Sequence, residues 1–255
     1  MKYGLSFISD ENLFEHVENT VKKYRFKISL KDLNKNLVDP IKLTFDSGIY
    51  ENGYTNQNLE NILQNEVLRQ IDKSNTNHIG YFHQNIFQYI NSQNWSVPKT
   101  GFDIVNPQQK IYVEMKNKHN TMNSSSSAKT YIRMQNKLLN DPEATCYLAE
   151  IIAAKSQNIE WVCTVDKQQM KHKQIRRISI DKFYELVTGD KFAFQKLCRI
   201  LPHVISNVVS KQKKRVIQNT VIEDLKAQET NHILQSLYLL AFKTYQGFEN
   251  FNLNE

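Results

Sequence analysis

The sequence predicts an α/β fold in which a mixed β-sheet of about four or five strands has helices on both sides. Hydrophobic residues make up 40% of the 255 residues, which is sufficient for a buried core. Apolar residues recur every three or four positions in the first 95 residues and again after residue 181, as they do in amphipathic helices. The stretch between them contains short apolar runs bounded by turn residues, which is typical of strands.

We expect one domain over residues 1–255, with an N-terminal helical part (about 1–95), a central core (about 96–180) and a C-terminal helical part (about 181–255). Residues 34–54 contain Pro40, Gly48 and Gly53 and are expected to be irregular or extended. Asp181 is expected to cap a helix. The other helices are expected at residues 10–27, 56–71, 79–90, 128–139, 192–209 and 221–245.

The predicted strands lie in the central core. Residues 101–105 and 110–116 are expected to form a hairpin around a turn at Asn106-Pro107. Residues 145–153 and 159–165 are nearly continuous apolar runs, which is the pattern of strands buried on both faces. We therefore expect these two runs to be central strands of the sheet.

Composition and charge argue against several classes of protein. No stretch approaches the roughly 20 apolar residues of a membrane span, and the N-terminus lacks the apolar segment of a signal peptide, so a cytoplasmic protein without a membrane partner is expected. The three cysteines are far apart, which argues against a zinc site or a disulfide scaffold. The net charge of +7 fits a polyanionic partner but is weak support by itself.

A candidate metal-dependent site lies in the predicted hairpin. Glu114 and Lys116 are two residues apart in one strand, so their side chains project from the same face, and Asp103 in the paired strand can reach the same place. Phosphodiester hydrolysis needs such a set. Carboxylate oxygens hold Mg²⁺, which helps to produce hydroxide, and a lysine stabilises charge on the phosphate as its ammonium form, or orients and deprotonates water as its neutral amine. The same residue types alternate on many solvated strands, but here apolar residues flank them, which indicates core strands.

This arrangement resembles the PD-(D/E)XK nuclease motif, although Phe102 stands before Asp103 where the motif has proline, a departure that leaves the predicted metal site intact. The surrounding sequence resembles the type II restriction endonucleases that recognise GGNCC, over about residues 5–207. The resemblance implies a PD-(D/E)XK nuclease-like mixed sheet and an Mg²⁺-dependent homodimer. It also implies cleavage of both strands of a palindromic site in double-stranded DNA, with 5′ overhangs and 5′-phosphate ends. The similar stretches are NLVDPIKLTFD (36–46), NHIGYFHQNIFQYI (77–90), VEMKNKHNTMNSSS (113–126) and KTYIRMQ (129–135).

A polar segment at residues 117–130 follows the strand that holds the candidate site. Its side chains are of the types that contact phosphates and base edges, and it leads into a helix whose N-terminus can face a phosphate. The alternative is an exposed loop with an ordinary helix cap; the neighbouring catalytic residues favour DNA contact. The candidate DNA-binding residues are Asn117, Lys118, His119, Asn120, Asn123 and Lys129.

Three further residues are weaker candidates. Glu66 flanks an apolar helix stripe and could add a carboxylate near the metal, although a solvated glutamate is the simpler interpretation. Gln84 could also reach the site. His83 is better explained as a structural histidine.

Two basic clusters, at residues 167–177 and 211–215, suit phosphate contacts as well as they suit solvated charged faces. The sequence thus favours a type II restriction endonuclease. A structure-selective repair or recombination nuclease and a non-catalytic DNA-binding protein on the same fold remain the alternatives.

Overall fold

A computed structural model describes residues 2–35, 38–90, 94–212, 216–227, 232–248 and 251–253. The chain divides into two compact units. The first unit comprises Met1–Lys23 and His78–Lys213, and the second comprises Tyr24–Asn77 and Lys214–Glu255. None of the described helices combines the length and the hydrophobicity of a transmembrane segment.

The helices and strands follow one another along the chain in this order: α1 (Asp10–Lys23), β1 (Lys27–Ile28), α2 (Leu30–Lys35), α3 (Pro40–Tyr50), α4 (Asn56–Asn85), a 3₁₀ turn (Ile86–Gln88), β2 (Ile104–Asn106), β3 (Ile111–Lys118), α5 (Ser124–Asn140), β4 (Thr145–Ile152), β5 (Asn158–Glu160), β6 (Cys163–Val165), β7 (Gln168–Met170), β8 (Ile175–Ser179), α6 (Ile180–Thr188), α7 (Ala193–Ser210), β9 (Gln218–Asn219), α8 (Val221–Lys226) and α9 (Ile233–Phe242).

The first unit contains a mixed sheet with the strand order β2-β3-β4-β8-β5 in the described part of the chain. β3, β4 and β8 are parallel, and the two edge strands, β2 and β5, run antiparallel to their neighbours. α5 forms the crossover between β3 and β4, as a parallel pair requires. The predicted fold class, a mixed sheet flanked by helices, is therefore confirmed.

Each face of this sheet is buried against a different core. Val113 and Met115 of β3 pack on one side, together with apolar residues of α1, α6 and α7. Leu148 of β4 packs on the other side, together with Tyr131 and Met134 of α5. Because side chains alternate across a strand, Glu114 and Lys116 share the α5 side with Leu148.

The second unit has its own apolar core, formed by residues of α2, α3, α4, α8 and α9. The short strands β1 and β9 pair in parallel within it. The expectation that residues 34–54 are irregular was wrong, because α3 lies there. Asp39 caps α3 by accepting hydrogen bonds from the Ile41 and Lys42 N–H groups, and Pro40 occupies the first turn, where its missing N–H costs nothing.

The strand predictions were right for β3 and β4 and wrong for residues 159–165. That run is not a central strand: it divides between the exposed edge strand β5 and β6, which pairs with β7 in a separate hairpin. The second parallel neighbour of β4 is β8, whose first residues belong to the basic run 167–177. Strand β2 begins at Ile104, so Asp103 lies just before it rather than within it.

Several helix boundaries also differ from the predictions. Residues 56–71 and 79–90 were expected to be separate helices, but α4 runs continuously from Asn56 to Asn85. The first helix ends at Lys23, and two helices, α8 and α9, lie within the predicted 221–245 helix. The N-cap of α6 is Ser179; Asp181 lies in the first turn, where it accepts a hydrogen bond from the Ser179 hydroxyl.

Candidate active site

The β2–β3 hairpin brings Asp103 next to β3. Ile104 pairs with Val113, and the Asp103 carboxylate accepts a hydrogen bond of 2.8 Å from the backbone N–H of Met115. This bond joins the residue just before β2 to the position between Glu114 and Lys116. The predicted convergence of two carboxylates and a lysine is thus present in the structure.

Glu114 lies in the middle of this cluster and is only 8% exposed. Its Oε1 accepts a hydrogen bond of 2.8 Å from Lys116 Nζ, and its Oε2 accepts one from Nη2 of Arg133, which lies on α5. Arg133 also donates to the Gly101 carbonyl, and its guanidinium carbon lies 4.9 Å from the centre of the Phe102 ring. Arg133 therefore contacts both segments that carry the candidate carboxylates.

Burial is the main influence on the ionisation of Asp103. It raises the pKa of this carboxyl, and the negative charge of Glu114 acts in the same direction. The hydrogen bond from Met115, followed by the charges of Lys116 and Arg133, opposes the rise. A cation brought between the two carboxylates would favour the ionised form of both.

The donor set suits a hard divalent cation. In the described residues, no group of three or more His, Cys, Asp or Glu side chains could hold a metal. Asp103, just before β2, and Glu114, in the middle of β3, are two neighbouring carboxylates, and Mg²⁺ is commonly bound by one or two carboxylates while water and phosphate oxygens supply the remaining ligands. The residues present fit such a site.

A second ion pair, between Glu150 and Arg177, lies beside Lys116 on the same sheet face. Glu150 of β4 is opposite Lys116 in the register and is 1% exposed. Its Oε1 accepts hydrogen bonds from Nε and Nη2 of Arg177, at 2.9 and 2.5 Å, whereas its Oε2 has no hydrogen-bond partner among the described residues. Arg177 Nη2 also donates to the His119 carbonyl at 2.9 Å, which ties β8 to the start of the polar segment.

Sequence reasoning missed Arg133, Glu150 and Arg177. Glu150 did carry a signal, since it is a charged residue inside the apolar run TCYLAEIIA, where an unpaired carboxylate would be unfavourable. Arg177 was assigned to a basic cluster, but its charge is used in a buried ion pair. Arg133 had no comparable signal, because its position depends on how α5 packs on the sheet.

The polar segment contains residues of different structural roles. Asn117 and Lys118 end β3, and the His119 N–H donates to the Ile152 carbonyl at 3.0 Å. Asn123 caps α5, since its side chain accepts a hydrogen bond of 2.8 Å from the Ser126 N–H. Exposed residues in and near this segment include Lys118, His119, Asn120 and Lys129. His119, Ser124 and Ser127 line a cleft together with Arg177.

The weaker candidates lie on α4. Glu66 belongs to the second unit, where its carboxylate accepts hydrogen bonds from Arg69 and Gln70. Gln84 belongs to the first unit. Burial lowers the pKa of His83 to about 4, as expected for a structural histidine.

The two basic clusters have different outcomes. Within the first, Arg176 donates hydrogen bonds to Asn158 and Arg177 forms the buried pair, so part of the cluster is structural. In the second, residues 213–215 lie outside the described residues.

Comparisons with known proteins point to a family of restriction endonucleases. The sequence model of the Eco47II restriction endonuclease family matches residues 5–210. The type II restriction enzyme Sau96I of Staphylococcus aureus is 30% identical over 222 residues, which cover 83% of this chain and 83% of that enzyme. The type II restriction enzyme Eco47II of Escherichia coli is 29% identical over 221 residues, which cover 82% of this chain and 89% of that enzyme.

Proposed function

The chain belongs to the Eco47II restriction endonuclease family and is a type II site-specific deoxyribonuclease, and from this premise we propose that it cuts DNA with Asp103, Glu114 and Lys116 in the presence of Mg²⁺. The observation that carries the proposal is the contact of Glu114 with Lys116 at 2.8 Å, beside an Asp103 that is hydrogen-bonded to Met115. We assign these residues to a PD-(D/E)XK site.

In this mechanism Asp103 and Glu114 would hold Mg²⁺, which would supply Lewis acidity and make water at the site more acidic. Lys116, as the ammonium that donates to Glu114, orients the attacking water or stabilises the charge that develops on the phosphate. Met115 keeps Asp103 in position through its backbone N–H. Attack of water on phosphorus breaks the bond between phosphorus and the 3′ oxygen. This leaves a 5′-phosphate on the downstream fragment and a 3′-hydroxyl on the upstream one.

We further propose that the enzyme recognises GGNCC, cuts both strands to leave 5′ overhangs and acts as a homodimer in the cytoplasm. The supporting observations are the similarity of the surrounding sequence and the need for two active sites to cut both strands of a palindrome. The polar segment at residues 117–130, which directly follows the catalytic strand, is the proposed DNA-contacting element. Glu66 and Gln84 remain proposed additional residues of the site.

Plasmid cleavage tests the catalytic assignment. Asp103→Ala, Glu114→Ala and Lys116→Ala are each expected to reduce cleavage by orders of magnitude, with effects that do not add because the residues act as a unit. Glu143→Gln, which changes an exposed carboxylate paired with Lys110, is the matched control and should retain activity. A Lys116→Ala enzyme within about tenfold of wild type, a difference of only about 1.4 kcal/mol, would remove that lysine from the mechanism.

Mapping the products tests the specificity. Digestion of a sequenced plasmid with Mg²⁺, followed by sequencing of the ends, should give cuts only at GGNCC with 5′ overhangs. Ca²⁺ should support binding with little cleavage, because its looser coordination positions water poorly. Sedimentation of the DNA complex should give the mass of two chains. Full-rate cleavage in excess chelator would contradict the metal assignment.

A further inference from the structure

Arg133 is a cation bound to a carboxylate that the proposed mechanism needs for a metal. Its Nη2 contacts Glu114 Oε2, while Lys116 occupies Oε1 of the same carboxylate. Both oxygens of Glu114 therefore accept a charge-assisted hydrogen bond. A metal ion that binds Glu114 must share an oxygen with one of these two cationic donors.

The charges in the cluster already balance. Asp103 and Glu114 contribute two negative charges, and Lys116 and Arg133 contribute two positive charges. A divalent cation added to this set would meet two like charges unless one of them moved away or an anion arrived with the metal. A DNA phosphate is such an anion, and a guanidinium group binds phosphate in bidentate geometry.

Arg133 is better placed to move than Lys116. Lys116 lies two residues from Glu114 on the same strand, so the strand geometry keeps the two side chains together. Arg133 reaches Glu114 from α5, its side chain is 39% exposed, and its Nε has no acceptor among the described residues. Its stacking on Phe102 leaves the guanidinium edge free to exchange one oxyanion for another.

We propose that Arg133 is a positioning residue that competes with the divalent metal for Glu114 and moves to a DNA phosphate when the substrate binds. This inference rests on the proposed function of Glu114. Arg133 holds Glu114 in place before the metal binds and keeps the metal affinity of the DNA-free enzyme low. Metal binding and DNA binding then strengthen each other, and by thermodynamic reciprocity each raises the affinity for the other by the same factor.

The test measures binding rather than cleavage. Calorimetry gives the Ca²⁺ affinity of the DNA-free protein, and a fluorescent duplex taken from a mapped cleavage site gives the DNA affinity with and without Ca²⁺. Arg133→Gln should bind Ca²⁺ about fivefold or more tightly than wild type in the absence of DNA, and the stimulation of DNA binding by Ca²⁺ should shrink. Arg133→Lys, which keeps the positive charge but lacks the forked guanidinium group, should have a Ca²⁺ affinity between those of wild type and Arg133→Gln.

Lys137→Gln is the matched control. Lys137 lies one turn further along α5 and stacks on Tyr112 at 4.0 Å, and the removal of this charge should leave the Ca²⁺ affinity unchanged. If Arg133 only fastened Gly101 and Glu114 together, Arg133→Gln would bind Ca²⁺ more weakly. Unchanged or weaker Ca²⁺ binding by Arg133→Gln overturns the proposal.

Wild-type protein provides a measurement that does not depend on how the variant folds. Ca²⁺ should raise the affinity for DNA, and DNA should raise the affinity for Ca²⁺ by the same factor; equal affinities in the presence and absence of the other ligand overturn the coupling. Glu114→Gln separates this failure from failure of the proposed function. If Glu114→Gln binds Ca²⁺ as wild type does, the metal assignment itself fails.

Discussion

The first unit should lose stability in mild acid, because its core contains a neutral histidine. His16 of α1 is 3% exposed, its Nε2 lies 2.9 Å from the Phe82 carbonyl, and its ring stacks on Phe82 with centres 4.6 Å apart. Burial lowers the pKa of His16 from 6.5 to about 4, although the hydrogen bond to Phe82 opposes it; the charge of Lys23, and that of His83 once it is protonated, add to the lowering.

Because the pKa is lower in the folded state, protons bind the unfolded state more tightly and acid favours unfolding. The contribution of neutral His16 to the free energy of unfolding is fully present above about pH 7.5. It is lost as the pH falls from 6.5 to about 4, and it changes little below pH 4. With those two pKa values, the free energy of unfolding falls by about 2 kcal/mol between pH 7.5 and pH 5, and by about 3 kcal/mol in all.

His16→Gln should remove this dependence, since glutamine does not titrate and keeps an N–H donor for the Phe82 carbonyl. Urea unfolding at pH 7.5, 6 and 5 would measure this dependence. Between pH 7.5 and pH 5, the free energy of unfolding of wild type should fall by about 2 kcal/mol relative to that of His16→Gln. His172→Gln, at an exposed position, is the matched control. An equal pH dependence of wild type and His16→Gln would refute this reasoning.

Three other predictions concern the sheet and the polar segment. Arg177→Leu should destabilise the protein by about 3–5 kcal/mol in urea unfolding, because it leaves Glu150 charged and buried, and addition of Glu150→Gln should restore much of that loss. Asn123→Ala should lower the free energy of unfolding by about 1 kcal/mol through loss of the α5 cap. If this variant still discriminates between DNA sequences as wild type does, Asn123 has a structural role and does not read a base. Lys129→Gln should make the slope of log binding constant against log salt concentration, measured in Ca²⁺, shallower by about one unit, and an unchanged slope would exclude a phosphate contact by Lys129. If Asn117 reads a base, Asn117→Ala should weaken DNA binding by about 1–3 kcal/mol and relax discrimination at one base position.

The sheet could be predicted only where its strands show a clear local pattern. β3 has apolar residues on alternate positions within a run of eight, and β4 is almost entirely apolar, so both were found from the sequence. β8 follows a stretch of lysines and glutamines, and only Ile175 and Ile178 face its cores. Arg177 is accommodated in β8 because it forms an ion pair with Glu150 of the neighbouring strand β4. This contact depends on the tertiary fold, so the local sequence of β8 does not predict it.

The helices show the same limit. Pro40 and Gly48 predict irregular structure, yet these residues form part of α3, because proline at the first turn of a helix favours the helix. A Cβ at Gly48 would lie 2.6 Å from the Tyr54 hydroxyl, but this hydroxyl is the far end of an exposed side chain, so packing does not require glycine there. A breaker residue predicts a break only when its position within the helix is known.

The candidate site was more predictable than the fold around it, and the reason is the geometry of β3. The period of two places Glu114 and Lys116 together whatever the neighbouring strands are. Asp103 required more: pairing between β2 and β3 begins at Ile104 and Val113, so the Met115 N–H donates to the Asp103 carboxylate rather than to a carbonyl of β2. The early end of β2 therefore leaves this N–H available to hold the Asp103 carboxylate, which the register places opposite Glu114. A longer hairpin would keep Asp103 opposite Glu114 in the register but would occupy the Met115 N–H with a backbone carbonyl, so the Asp103 carboxylate would lose the hydrogen bond that fixes its position.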